Sequence, residues 1–136
     1  MTNKEYRDRY RKGTSRKKYL LHKKEQRKRY KKKYPEKIRV SATKHRMNRK
    51  VKVLSFYSGS KPFCKCCGEK EIKFLSIDHI NGGGKKHRKV EKIGDICEWL
   101  VRNKFPDGFQ VLCFNCNCAK GFWGECPHII NKPLKR

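Results

Sequence analysis

Apolar positions are sparse in the first third of the chain and gather into short periodic runs in the rest. Residues 4–33 contain no proline and one glycine, Gly13, and are dominated by Lys, Arg, Glu and Gln, all good helix formers. Tyr6 and Tyr10, four apart, and the Leu20–Leu21 pair make such a helix only weakly amphipathic, so burial will not hold it rigid. Pro35 punctuates the segment, and a second helix is expected from about Glu36 into Phe56, with Ile38, Val51 and Leu54 placed to dock on a core. Phe74-Leu75-Ser76-Ile77-Asp78-His79-Ile80 alternates and predicts a strand running into the Asn81-Gly82-Gly83-Gly84 loop. Ile93, Ile96, Cys97, Leu100 and Val101 recur at i, i+3, i+4, i+7 and i+8, which predicts a core-facing helix over about 90–103. Phe105-Pro106-Asp107-Gly108 reads as a turn, 109–113 as a second strand and 115–121 as the start of a helix. The order is strand, helical insertion, strand, helix: a small α+β domain.

Charge divides the chain. The 136 residues carry 38 Lys and Arg against 12 acids, a net of +26, and only 35% are hydrophobic. Residues 1–53 hold 23 of those bases and 4 acids, a net of +19, whereas 54–136 hold the remaining 15 and 8, a net of +7. All eight cysteines and nine of the ten glycines fall in the second part. The expected organisation is therefore a basic, mainly helical arm over 1–53 and a folded domain over 54–136. No run approaches the ~20 apolar residues of a membrane span, and the polar, basic N-terminus lacks the apolar core of a secretory signal. A charge of this size calls for a polyanionic partner, nucleic acid above all. Alone, the arm reads as a solvated tail; on a phosphate backbone it loses its self-repulsion and can become helical, with Arg27, Lys28, Arg29, Lys31, Lys32 and Lys33 as phosphate contacts. Tyr6 and Tyr10 suit either local packing or base stacking.

The cysteines carry the strongest local signal. Cys64-x-x-Cys67-Gly68 and Cys113-x-x-Cys116 are two knuckles, 45 residues apart (68–112). A two-residue gap lets both sulfurs reach one tetrahedral ion at about 2.3 Å, and a following glycine relieves the turn beneath them. Disulfides are the competing reading; paired C-x-x-C without a targeting sequence favours a four-thiolate zinc site. Such a site has no open coordination position, so its role is structural. Cys97 lies on the amphipathic stripe and reads as a small buried hydrophobe. Cys66 could substitute for a ligand at poorer spacing. Cys118, Cys126 and His128 could begin a second metal site, but lack a well-spaced fourth ligand.

Taken in order, Cys64-x-x-Cys67, Ile77-Asp78-His79-Ile80 and Val111-Leu112-Cys113-x-x-Cys116-Asn117-x-x-Lys120 resemble the zinc-bearing HNH endonucleases of the ββα-metal fold. The likeness is greatest to small phage-encoded and homing-type members and extends to recombination endonuclease VII, and it covers roughly 54–128. It implies a general base at His79 and a divalent ion, Mg²⁺ or similar, held by Asp78 and Asn117. It also implies DNA as substrate, duplex or branched, and a phage protein acting in a bacterial cytoplasm as a monomer or homodimer. The chemistry is consistent with those roles: carboxylate and amide oxygens suit a hard cation, and imidazole suits proton abstraction near pH 7. The family's middle Asn falls at Gly108, which cannot brace by side chain; Gln110 and Asn103 are nearby amides out of register. Lys85, Lys86, His87, Arg88, Lys89 and Lys120 read as a phosphate-contacting patch. Gly82–Gly84 read either as a backbone cradle for phosphate or as a flexible loop, and Trp99 and Trp123 as packing residues. Two classes follow: a metal-dependent DNA endonuclease, or a non-catalytic zinc-ribbon nucleic-acid binder. Both imply salt-sensitive binding, and cleavage separates them.

Overall fold

The computed structural model describes residues 4–5 and 16–130, and for Ile130 the backbone only. Tyr6, Tyr10 and Gly13 lie outside the described residues. Helices and strands follow in the order α1 (Arg16–Lys33), α2 (Pro35–Ser58), β1 (Leu75–His79), α3 (Gly84–Val90), α4 (Ile96–Arg102), β2 (Phe109–Cys113), α5 (Phe114–Trp123) and α6 (Pro127–Ile130). Among the described residues no helix is long and apolar enough to cross a membrane.

Two compact units emerge, 1–44 and 45–136. In the first, α1 buries none of its side chains, as its charge pattern requires, and Arg27–Arg29 and Lys31–Lys33 are exposed along it. Pro35 opens α2 at the first helical position, where the missing N–H costs nothing. Local contacts there are modest: Tyr30 against Tyr34 at 4.9 Å and an exposed Glu36–Arg39 ion pair of 2.7 Å, a type worth a few tenths of a kcal/mol.

The second unit begins nine residues earlier than the composition boundary at 53/54, because the C-terminal half of α2 belongs to its core. Val53 and Leu54 are fully buried there, and Val51 is half-buried. Tyr57 donates from its hydroxyl to the Pro106 carbonyl at 2.7 Å, while burial and the Asp107 charge push that phenol up to about 12. Arg49 bonds Glu98 at 2.6 Å.

β1 and β2 form a two-stranded antiparallel sheet in which Leu75 pairs with Cys113 and His79 with Phe109. Leu75, Ile77, Val111 and Leu112 join Val53, Leu54, Ile96 and Leu100 in one core. The strand over 109–113 matches its expected limits, and the first strand loses one residue at each end. The helix expected over 90–103 is cut short at its start. Lys92 takes a positive φ of 51°, and Asp95 then caps a new helix by accepting from the Cys97 and Glu98 N–H groups at 2.9 and 3.3 Å. Only Ile96–Arg102 continues as α4, with Ile96 and Leu100 buried, while Ile93 packs on the core from the preceding turn.

Candidate active site and metal centre

The cysteine knuckles close the sheet at its Leu75–Cys113 end. In the first, Gly68 takes a φ of 83° and its N–H donates to the Cys64 carbonyl at 2.9 Å, folding the chain back beneath the sulfurs. The Lys65 N–H donates to the Val111 carbonyl at 2.9 Å, tying that turn to β2. In the second, Cys113 ends β2 and caps α5, its sulfur accepting from the Cys116 N–H at 3.4 Å. Burial opposes ionisation of Cys64, but N–H groups of Cys67, Cys113 and Cys66 outweigh it and draw the thiol down to about 7. The sulfurs of Cys64, Cys67, Cys113 and Cys116 all lie within 4.8 Å of one another. Metal–sulfur bonds of about 2.3 Å at tetrahedral angles require sulfurs about 3.8 Å apart, and Cys67 and Cys113 stand at 3.7 Å. This arrangement fits a structural ion such as zinc.

Four residues along the sheet from that cluster, the end of β1 presents Asp78 and His79 on opposite faces, as alternation demands. Asp78 is 8% exposed. Its Oδ2 accepts from the Gln110 amide at 2.7 Å, directly across the register, and from the Lys120 ammonium at 2.6 Å. Lys120 also donates to the carbonyls of His79 at 2.7 Å and Ile80 at 2.9 Å, so all three of its N–H donors are used on oxygen. Asn117, one turn earlier on α5, donates to Ser76 Oγ at 3.0 Å. Ser76 shares the face of Asp78, about 6.7 Å away along the strand. The result is a nest of one carboxylate and two carbonyls that suits a hard cation by its chemistry and holds an ammonium. Beside it opens a cleft of about 430 Å³ lined by Lys65, Gln110, Leu112 and Lys120 among others.

On the other face His79 sits in an aromatic cage. Its ring lies 4.7 Å from Phe109 and 5.0 Å from His87, and His87 in turn packs edge-on against Trp99 at 4.5 Å. His79 Nε2 is hydrogen-bonded to His87 Nδ1 at 2.9 Å. Gly84 closes the other side: a Cβ there would stand 2.8 Å from His79 Nδ1. Burial, followed by the charge of His87, holds the His79 pKa below its ordinary value of 6.5 despite the opposing pull of Asp78. The loop itself is fixed by main chain, with the His79 carbonyl accepting from Gly82 N–H and the Gly108 carbonyl accepting from Ile80 N–H, both at 2.9 Å.

Several expectations are thereby refined. Asp78 and Asn117 share a sheet face, but Asn117 reaches Ser76, and Lys120 is the α5 residue that reaches Asp78. Lys120 therefore differs from a free phosphate contact. His87 also leaves the basic patch, for it turns inward to His79 while Lys85, Lys86, Arg88 and Lys89 stay exposed. Gly108 braces the loop by its carbonyl, and Gln110, two residues beyond the middle-Asn position, pairs across the strands with Asp78; Asn103 caps its own helix through Trp99. Gly82 and Gly83 serve left-handed turns at φ 72° and 77°. Trp99 packs as expected, whereas Trp123 is 72% exposed beside Phe122. Spacing gave no sign of Gly84 or of the His79–His87 pair; the two histidines lie on different elements, a strand and the helix after the glycine loop, so no single period relates them.

No protein-family model, curated protein or solved structure matches the chain.

Proposed function

We propose that the protein is a divalent-metal-dependent HNH-type endonuclease that hydrolyses phosphodiester bonds in DNA. Zinc held by Cys64, Cys67, Cys113 and Cys116 would serve structure alone, joining β2 and α5 to the first knuckle. The observation that carries the reading is the end of β1. There a half-buried imidazole with a lowered pKa and a nest of three oxygens occupy the two faces of one strand end, on a sheet whose other end bears the thiolate cluster.

His79 is the general base. A lowered pKa keeps its imidazole neutral at pH 7, ready to accept a proton from the attacking water. In the tautomer in which His79 Nε2–H donates to His87 Nδ1, the His79 Nδ1 lone pair is the acceptor, and Gly84 packs beside that nitrogen without a Cβ to block it. His87 thus selects the tautomer, and Phe109 and Trp99 fix the two rings. Gln110 orients the Asp78 carboxylate. The residues that would hold the catalytic ion are Asp78, with the carbonyls of His79 and Ile80, and Asn117 on the same face. When bound, such an ion supplies positive charge to the scissile phosphate and its leaving 3′ oxygen. The exposed bases of α1 and α3 provide affinity for the backbone without reading sequence.

Lys120 favours a second reading. Its ammonium already neutralises Asp78, as would suit a zinc-stabilised nucleic-acid binder without catalysis. Supercoiled plasmid distinguishes the two. The nuclease converts it to nicked or linear DNA when Mg²⁺ is added to zinc-loaded protein, and His79→Ala abolishes turnover while leaving DNA binding near wild type. Cleavage at the wild-type rate by His79→Ala refutes the base, and binding without cleavage under any divalent ion leaves the second reading.

A further inference from the structure

The thiolate cluster extends beyond the four knuckle cysteines. Cys66, Cys116, Cys126 and His128 form a second set whose ligand atoms also lie within 4.8 Å of one another, and Cys116 belongs to both sets. We propose that Cys66, Cys116, Cys126 and His128 bind a second zinc-class ion, so that the Cys116 thiolate bridges a two-metal centre.

The distances suit it. Metal–sulfur bonds of about 2.3 Å and metal–nitrogen bonds of about 2.0–2.1 Å at tetrahedral angles require sulfur and nitrogen about 3.6 Å apart. His128 Nδ1 stands 3.4 Å from Cys116 Sγ and 3.3 Å from Cys126 Sγ. Cys66, Cys116 and Cys126 are buried at 8%, 0% and 3% exposure, whereas His128 is exposed, leaving Nε2 to carry its proton toward solvent. Cys118, the sequence candidate, is exposed and belongs to neither set.

The second ion also accounts for α6. Four residues cannot sustain a helix alone, since nucleation is costly. Pro127 and His128 are exposed, and Ile129 is 54% exposed, so among the described side chains of this turn none is held by core burial. Its anchor is Cys126, whose carbonyl accepts from Ile129 N–H at 2.8 Å and whose sulfur meets His128. An ion at these four ligands pins α6 to the first knuckle and to the start of α5, the helix that carries Asn117 and Lys120. Six thiolates and one imidazole around two divalent ions leave a net charge near −2, acceptable in a chain of +26.

Metal content of the full-length chain tests this independently of any cleavage. Wild-type protein purified with zinc should carry two ions per chain by elemental analysis and native mass spectrometry. Cys126→Ser and His128→Ala should each carry one and keep the all-sulfur Co²⁺ absorption of the first site. With ¹¹³Cd in place of zinc, two resonances coupled through the shared sulfur are expected. A wild-type chain saturating at one ion overturns the proposal, as does a Cys66–Cys126 disulfide found by mass spectrometry. So does a Cys126→Ser/His128→Ala double variant that still binds two ions. Should either single variant fail to fold, the wild-type stoichiometry alone decides.

Discussion

Adding one carbon at Gly84 probes the base without touching it. Gly84 opens α3 at an ordinary φ, so alanine brings no backbone strain, but its Cβ would lie 2.8 Å from His79 Nδ1 and 3.2 Å from Cε1. Ordinary contact begins at 3.4 Å, so the ring must retreat by about 0.6 Å, and His87, 2.9 Å from the opposite nitrogen, blocks a straight retreat. The ring must therefore swing off its rotamer at about 0.5–1.5 kcal/mol and weaken a hydrogen bond worth about 0.5–1.5 kcal/mol. Loss of glycine freedom in the unfolded chain returns about 0.4–1 kcal/mol, leaving a net destabilisation of about 0–2.6 kcal/mol. Catalysis should suffer more, because misplacing a reacting group by an ångström costs about 10²-fold. Plasmid nicking by Gly84→Ala should fall by about 10–10²-fold, with the His79 and His87 ring ¹⁵N resonances shifted and the Tm lowered by only a few degrees. Gly82→Ala is the control: at φ 72° it strains the backbone by about 1–2 kcal/mol, yet its Cβ meets nothing within 4 Å. It should lower the Tm at least as much and leave the rings unmoved. Wild-type nicking by Gly84→Ala with unshifted imidazole resonances would refute the placement of His79 against α3.

Three further outcomes are expected. Cys113→Ser removes a knuckle ligand that is also the last residue of β2 and the cap of α5, and structural zinc contributes on the order of 10 kcal/mol to small domains; NMR dispersion over 45–130 should collapse, and a stable variant with wild-type zinc content would contradict the four-thiolate site. For pH, the folded pKa of His79 lies below 6.5, so the unfolded chain takes up the proton first on acidification. The nicking rate should be at its plateau by pH 7 and fall below pH 6.5, with the His79 share of stability fully present above 6.5 and lost as pH drops toward the folded value; a rate still rising above pH 7.5 would exclude this base. Lys120→Met strips Asp78 of its cation and leaves Gln110 alone on Oδ2. Its Tm should drop by several degrees and be restored by Mg²⁺ while wild type stays insensitive; an unrestored Tm would show that the oxygen nest does not accept a divalent ion.

Features whose causes are local in sequence were legible from it. The C-x-x-C spacing, the alternation over 109–113, the stripe at Ile96, Cys97, Leu100 and Val101, and Pro35 each act within four or five residues, where covalent geometry fixes which side chains can meet. Even the break between α3 and α4 had a local signal in the Asp95 cap, masked by the longer apolar period that runs through Ile93. Tertiary packing alone decided the rest. Register set Gln110 opposite Asp78, and the pitch of α5 gave that carboxylate Lys120 and gave Ser76 Asn117. The helical insertion folded back to lay His87 and Gly84 on His79, and α6 returned Cys126 and His128 to the sulfurs of Cys66 and Cys116. These contacts join residues 5 to 62 apart in the chain. Their partners are chosen by which faces the core buries and how the strands align, quantities that exist only once the whole domain has packed.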